Sequence, residues 1–470
     1  MRLSHDPLKI SPSFDDPNLV SRAGLVPVMS LAGRAGLFAL AREHVRVAGP
    51  CGASAEARIG CLVAGMAAGA DPVDDMDVLR HGAMRVIFEG VRAPSTLGSF
   101  LRSFSWGNVC QLGKVSRLFL AELAGRAGLL PGAGQLAFVD IDSTQRRVYG
   151  HKKEGAAFGH AKIQGKTVLV RGLSALVATV TTPDAPAPVI AAARLRGGNA
   201  SSARGAASLA AEAVAAARKA GCAGTIIVRA DSAYYPAAFT AACTRAGAFF
   251  SVTARMDPAI RAAIASIPEE GWTPVRYPRA VWDDQLNQWI SDAQVAGAQY
   301  TAFTSKKKSQ QVTARLIIRR VRDLNPTAEA AGQGELFPAW RHHAVFTDSP
   351  FTHLQAEEQH RDHAVIEQVF ADLTSGPLAC APSGVFAANA AWLTLAAIAH
   401  NLARTAGVLA SPFHARARGA TIRRDLIDVA ARTARHGRGH LTMHLPARWH
   451  RQQDWMSLFA AGCGPPARAA

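Results

Sequence analysis

Cys-x-x-Cys pairs are missing from this sequence. Its seven cysteines stand apart at positions 51, 61, 110, 222, 243, 380 and 463, which argues against a cysteine-built zinc site. An odd, scattered count suits a reducing compartment. No H-E-x-x-H occurs either, so the commonest zinc-hydrolase signature is absent. The opening residues Met1-Arg2-Leu3-Ser4-His5-Asp6 carry no basic-then-apolar signal pattern. The strongest apolar stretch, Val385 to Ala399, is broken by Asn389 and followed by His400, Asn401 and Arg404. It is too short for a hydrocarbon core of about 30 Å, so a buried helix is expected there and no membrane association. Acids are scarce: 35 Asp and Glu face 52 Lys and Arg, a formal charge of +17. Such a surplus points to a polyanionic partner, nucleic acid first.

The chain has 470 residues, of which 49% are hydrophobic. That excludes disorder of the whole chain, and at roughly 100–200 residues per domain it allows two to four units. Residues 1–130 are expected to be helical. Leu25 to Leu40 forms a small arm, and apolar positions recur at three and four spacing around Ile59, Leu62, Val63 and Met66 and around Leu118, Leu120 and Leu123. From 131 to 269 the period changes. Leu136 to Asp142 reads as a strand ending in acids, and Ser174 to Thr181 and Pro188 to Leu195 as two more. An Ala-rich helix follows, opened by Ser201 and Ser202 and closed by Gly221, then the strand Thr225 to Asp231, a helix over 236–246 and the strand Phe249 to Ala254. The expected fold class is α/β, with a mixed sheet covered by helices. Residues 270–345 hold Trp272, Trp282, Trp289 and Trp340 and short alternating runs. They read as a β-rich insertion, with Lys306-Lys307-Lys308 at a turn. Helices resume over 346–445, and 446–470 reads as a frayed tail.

Three acids stand out by placement. Asp142 and Asp231 each follow an apolar run, and Glu367 sits inside a helical pattern. If the two strands are parallel neighbours, their carboxyl ends share the sheet edge outside which ligands of open α/β sheets bind. Two carboxylates there and a third from a packed helix form an oxygen-rich cage suited to Mg²⁺, and two such ions can drive displacement at phosphorus. On a helical wheel of about 100° per residue, Ile366, Phe370 and Leu373 make an apolar stripe. His360, His363, Glu367 and Thr374 lie on its flank, so Glu367 is expected to border the core. Each acid also has a plainer reading, as turn former, helix cap or solvated side chain. Spacing alone cannot establish their shared topology. His360, His363 and Glu367 could instead ligate zinc from one helix face, and the tryptophans could simply be core.

At these residues the chain resembles the bacterial insertion-sequence DDE transposases, in particular the insertion sequence thirteen-eighty group of the four-like class. The resemblance rests on Val139-Asp140-Ile141-Asp142-Ser143-Thr144, Val148-Tyr149-Gly150, Glu154 to His160, Arg194 to Ala200, Val228 to Tyr234 and the segment around Glu367. It implies an RNase H-like mixed-sheet catalytic core with a β-rich insertion and flanking helical regions. It implies Asp142, Asp231 and Glu367 as catalytic metal ligands for two Mg²⁺ ions, with Mn²⁺ as a substitute. Asp142 is preferred to Asp140 because Thr144 stands two residues on; Asp140 is expected to support it from behind. The related pattern Y-x-x-R-x-x-x-E, with Lys seven residues later, meets His360, His363, Glu367 and Thr374 here, and Arg361 is a partial replacement for the missing cation. The implied reaction is cleavage at terminal inverted repeats and joining of the 3′ ends to target DNA. Arg146, Arg147, Lys152, Lys153, Lys162, His360, Arg361 and His363 are expected DNA contacts, and Trp272, Trp282, Trp289 and Trp340 expected base-stacking residues. A homodimer on DNA, in a bacterial cytoplasm and at the nucleoid when bound, completes the expectation. A catalytically silent DNA-binding protein and a nuclease without strand transfer are the alternatives.

Overall fold

The alternating runs in the middle of the chain do form strands, and they join into one sheet. A computed structural model of the protein describes residues 1–150, 152–163, 166–278, 280–322 and 340–464. Side chains of 162, 163 and 166 and the end of the expected tail, 465–470, lie outside the described residues.

After a two-residue strand β1 (Leu19–Val20) come six helices: α1 (Leu25–Arg34), α2 (Leu37–His44), α3 (Ala55–Ala67), α4 (Met84–Ile87), α5 (Pro94–Arg102) and α6 (Trp106–Ala127). The expected arm over Leu25 to Leu40 is two helices, broken at Gly36, whose φ of 81° suits glycine. Nor is it an arm: Leu25, Val28 and Leu31 are buried in the main core. The sheet then begins with β2 (Leu136–Arg147), β3 (Ala157–Ile163), β4 (Lys166–Thr181) and β5 (Val189–Gly197). It continues through α7 (Ala206–Lys219), β6 (Thr225–Ala230), α8 (Ala237–Arg245), β7 (Phe249–Thr253) and α9 (Pro258–Ala265).

The insertion supplies β8 (Thr273–Pro274), the hairpin β9 (Val281–Asp283) and β10 (Gln288–Ile290), then β11 (Ala293–Ala302), β12 (Val312–Arg322) and β13 (Trp340–Thr347). The main sheet runs β3-β4-β2-β6-β7-β13-β12-β11-β8, with β5 also on β4. Among the described residues only β2/β6 and β6/β7 are parallel; the other pairings of this sheet are antiparallel. The insertion therefore extends the central sheet through β13 on β7. A small separate core, including Val295, Ile317 and Val345, backs it.

Helices α10 (His353–Arg361), α11 (Ile366–Thr374), α12 (Phe386–Ala410), α13 (Pro412–Arg416) and α14 (Gly419–Ile422) follow, then β14 (Ala431–Arg435), β15 (Leu441–His444) and α15 (Gln452–Cys463). Helix α12 is 25 residues long, so by length and composition it could cross a membrane, against the expectation of too short a span. It is mostly buried inside the protein, packing against α6, β5 and α3, as a helix apolar nearly all round must be. The expected loose tail is also revised. Helix α15 buries Trp455 and Leu458, and Ser30 donates to the Gly462 carbonyl at 2.8 Å. The core of the first six helices, the central sheet and α12 is one continuous cluster.

Two sequence boundaries moved. β2 does not end at Asp142 but runs five residues further, because β4 pairs with it from Phe138 to Arg147 while β6 pairs only through Ile141. Helix α7 starts at Ala206, not at Ser201. Gly205, at φ 78°, turns the chain into it, and Arg196 holds the Ser201, Ser202 and Arg204 carbonyls in the preceding loop.

Candidate active site

The parallel ladder between β2 and β6 closes with Ile141 opposite Ala230. Asp142, still on β2, and Asp231, just past the end of β6, are the next residues, so the two stand side by side where the strands part. The Ser143 backbone N–H donates to Asp142 Oδ1 at 2.6 Å. Asp231 caps the turn Ser232–Tyr234, with the Ala233 N–H donating to its Oδ1 at 2.9 Å. The plain capping role is thus real for Asp231 and occupies one of its oxygens.

Glu367 comes to the same place from the other wall. One cleft of about 860 Å³ is lined by Asp142, Asp231 and Glu367 together with Gln145, Arg146, Arg147, His160 and the loop 198–202. Two expectations need correcting. Glu367 is exposed, not at the core border. Within α11 the stripe Ile366, Phe370 and Leu373 is buried as the wheel has it, but Glu367 beside it faces outward. His360 and His363 lose their alignment with Glu367 because α10 ends at Arg361, Asp362–Val365 is a 3-10 turn, and α11 restarts at Ile366. Nor do the acids close into a cage. Among the described residues, no three His, Cys, Asp or Glu side chains are close enough together to hold an ion. The zinc grouping of His360, His363 and Glu367 is likewise not assembled.

Beneath the acids lies a fixed layer. Asp140 is fully buried and bidentate to Arg229, at 2.7 and 2.8 Å. The guanidinium stacks 4.0 Å from the centre of the Phe138 ring and also donates to the Gln359 carbonyl on α10. Burial pushes the Asp140 carboxyl up and Arg229 pulls it back. One ion pair therefore ties β2, β6 and the helix preceding Glu367.

His360 belongs to the same layer. It is buried, its Nδ1 is 2.9 Å from Ser251 Oγ and its Nε2 3.0 Å from Thr253 Oγ1. Burial first, then the neighbouring cations, push its pKa down to about 3, so the ring is neutral. Both nitrogens being engaged, His360 fastens α10 to β7 and offers nothing to DNA, contrary to expectation. His363 stacks on it at 5.1 Å, and Arg361 pairs with Glu357 at 3.0 Å.

The other expected contacts divide in the same way. Arg146 and Arg147 line the cleft. Arg146 also donates to the Leu378 carbonyl at 2.9 Å, and Lys153 to that of Ala381 at 2.6 Å. Both thereby pin the loop after α11. Lys152 is exposed, and the Lys162 side chain is outside the described residues. Trp272 is buried and Trp340 half-buried, with Arg320 between them at 4.2 and 4.5 Å. Trp282 and Trp289 are cross-strand partners on the β9/β10 hairpin, ring centres 5.1 Å apart, and Trp282 is exposed.

Two further motif residues, Tyr234 and Arg196, border the site. Tyr234 is buried, its hydroxyl has no well-formed hydrogen bond among the described residues, and burial and then Asp142 raise its pKa. Arg196 braces the loop that forms one wall of the cleft. Their motif position was the available signal; nothing in their residue type distinguishes them.

The family model for the transposase DDE domain, group 1, matches residues 4–328. The chain belongs to that family of DDE transposases. No curated protein matches the chain. The family makes this protein a transposase, an enzyme of DNA transposition and recombination whose partner is DNA and which depends on divalent metal. The matched span contains Asp142 and Asp231 and the whole central sheet up to β12; Glu367 lies beyond it. The donors lining the cleft suit that dependence. Carboxylate oxygens are what hard divalent ions take, and an ion of the Mg²⁺ type needs only one or two of them beside water and substrate phosphate.

Proposed function

We propose that this transposase cuts DNA at the terminal inverted repeats of an insertion element of the thirteen-eighty group and joins the freed 3′ ends to target DNA. The observation carrying the proposal is the side-by-side placement of Asp142 and Asp231 at the end of the β2/β6 ladder, in one cleft with Glu367. Asp142, Asp231 and Glu367 would hold two Mg²⁺ ions, for which Mn²⁺ would substitute. Bound there, the ions would supply charge for the attacking and leaving oxygens of an in-line displacement at phosphorus. Arg146 and Arg147, on the continuation of β2, would bind phosphates entering the cleft. The fixed layer of Asp140, Arg229 and His360 would hold the two strands and α10 in register during both steps. Trp282 and Trp289, on the β9/β10 hairpin, would stack on an unpaired base. Pairing of two element ends would require a homodimer.

The test is cleavage of repeat-boundary DNA in Mg²⁺ by wild type and Asp231→Asn. We expect a loss of about 10³-fold in the variant, the scale of removing a group that stabilises transition-state charge. Equal cleavage by both proteins would contradict the assignment. The alternative is a transposase that binds its ends without cutting them. It requires specific binding and no cleavage by wild type, with a control enzyme active on the same DNA.

A further inference from the structure

The region between 431 and 451 lies outside the matched family span and outside the cleft. It contains five arginines, four histidines and no acid. Its base is firmly held. β14 pairs with β1, the Thr433 N–H donates to the Asn18 carbonyl at 2.8 Å, Arg432 pairs with Asp16 at 3.1 Å, and Arg451 lies 3.7 Å from both Asp425 and Asp454. Its tip is not. Along one face of the β14/β15 ribbon, Thr433 is buried and its partner Met443 half-buried, whereas the next pair on that face, Arg435 and Leu441, is exposed on both strands. The ribbon therefore leaves the body of the protein between these two pairs. Around the turn, a side chain added at Gly437 or Gly439 would meet nothing within 4 Å.

The cations divide in the same place. Arg432 and Arg451, at the base, are neutralised. Arg435, Arg438 and Arg448 are exposed and make no ion pair among the described residues. A two-stranded ribbon is slim enough to lie along or within the major groove of duplex DNA. Exposed arginines at the end of β14 (Arg435), in the turn (Arg438) and just past β15 (Arg448) supply cations for its phosphates. A lipid surface fits less well, because Met443, Leu445 and Trp449 face the protein core and not outward.

We propose that the β14/β15 ribbon is a duplex-DNA clamp, holding phosphates through Arg435, Arg438 and Arg448 at a surface separate from the acid cleft. The proposal rests on the transposase reading for its partner and adds the surface. Phosphate contacts carry no sequence information, so the ribbon serves element ends, flanking DNA and target alike.

The experiment measures binding of the full chain to labelled random duplex and to repeat-end duplex across a salt series, by fluorescence anisotropy. It compares wild type with the triple variant Arg435→Ser, Arg438→Ser, Arg448→Ser and with Arg435→Glu alone; unchanged circular dichroism checks the fold. In the triple variant we expect about 10-fold or greater weakening, by the same factor on both duplexes. The slope of log K against log salt should be shallower by about 2 to 3, since each phosphate contact contributes about 0.9. Arg435→Glu should shift both quantities in the same direction by less. Unchanged affinity and slope would overturn the clamp, as would loss on repeat-end DNA alone. So would wild-type binding to phosphatidylserine vesicles but not to duplex. If wild type cuts repeat ends while the triple variant binds as wild type does, the clamp alone fails; if wild type neither binds nor cuts DNA, the transposase reading fails with it.

Discussion

The same chemical unit occurs twice in this protein, under the acid cleft and in the insertion, and behaves differently in each. In both, an arginine lies between a carboxylate and an aromatic face. Under the cleft, Arg229 meets Asp140 at 2.7 and 2.8 Å over Phe138, and both charged groups are buried, at 1% and 0% exposure. In the insertion, Arg320 meets Glu269 at 2.9 and 2.6 Å between Trp272 and Trp340, but Glu269 is 77% exposed on its side chain. Water competes for the second carboxylate and not for the first. The first pair is therefore a fixed joint between β2, β6 and α10, the elements that bring Asp142, Asp231 and Glu367 to one cleft. The second is a surface contact between β12 and the turn Glu269–Gly271.

The sharpest way to break this comparison is Asp140→Ala. It leaves Arg229 buried and unpaired, which costs about 3–5 kcal/mol, read as a fall in the free energy of urea unfolding. Replacing both partners, with Asp140→Leu and Arg229→Met, should recover most of that loss. A loss under about 1 kcal/mol for Asp140→Ala would mean that the joint is not fixed.

His360 sharpens the comparison through pH. An unfolded histidine takes up its proton near 6.5, and the buried one only near 3. Between those values the unfolded chain binds more protons, so stability falls as pH is lowered through that window. His360→Asn should flatten this part of the stability–pH curve. An identical curve in the variant would place His360 in contact with water. The smallest effect belongs to the insertion: Glu269→Gln should leave the unfolding midpoint where it is, and a clear drop would make the two pairs equivalent.

This contrast also marks what the sequence makes legible. The runs at Leu136 to Asp142 and Thr225 to Asp231 are visible because strands buried on both faces read as apolar runs, broken here only by the paired Asp140 and Arg229, and the acids follow them directly. The continuation of β2 through Ser143, Thr144, Gln145, Arg146 and Arg147 is not, because its support is β4, some thirty residues away in sequence at the matching register. Glu367 is found by residue type and motif, but the wheel joins it to His360 and His363, which one 3-10 turn puts out of phase with it. His360 looks like a surface residue in a polar helix. Only the distant Ser251 and Thr253 make its burial tolerable. The four tryptophans are equivalent by composition; their separation into core and hairpin depends on which strands β8, β10 and β13 pair with. The clamp ribbon is legible as charge, but its protrusion depends on where burial stops along the strands.

The most direct measurement is a metal switch at Asp231. Sulfur is a poor ligand for Mg²⁺ and a better one for softer divalent ions. Repeat-end cleavage by Asp231→Cys should be lost in Mg²⁺ and return in part in Mn²⁺, with wild type active in both. Cleavage by Asp231→Cys in Mg²⁺ at the wild-type rate would contradict the claim that Asp142 and Asp231 form the metal-holding edge of this transposase.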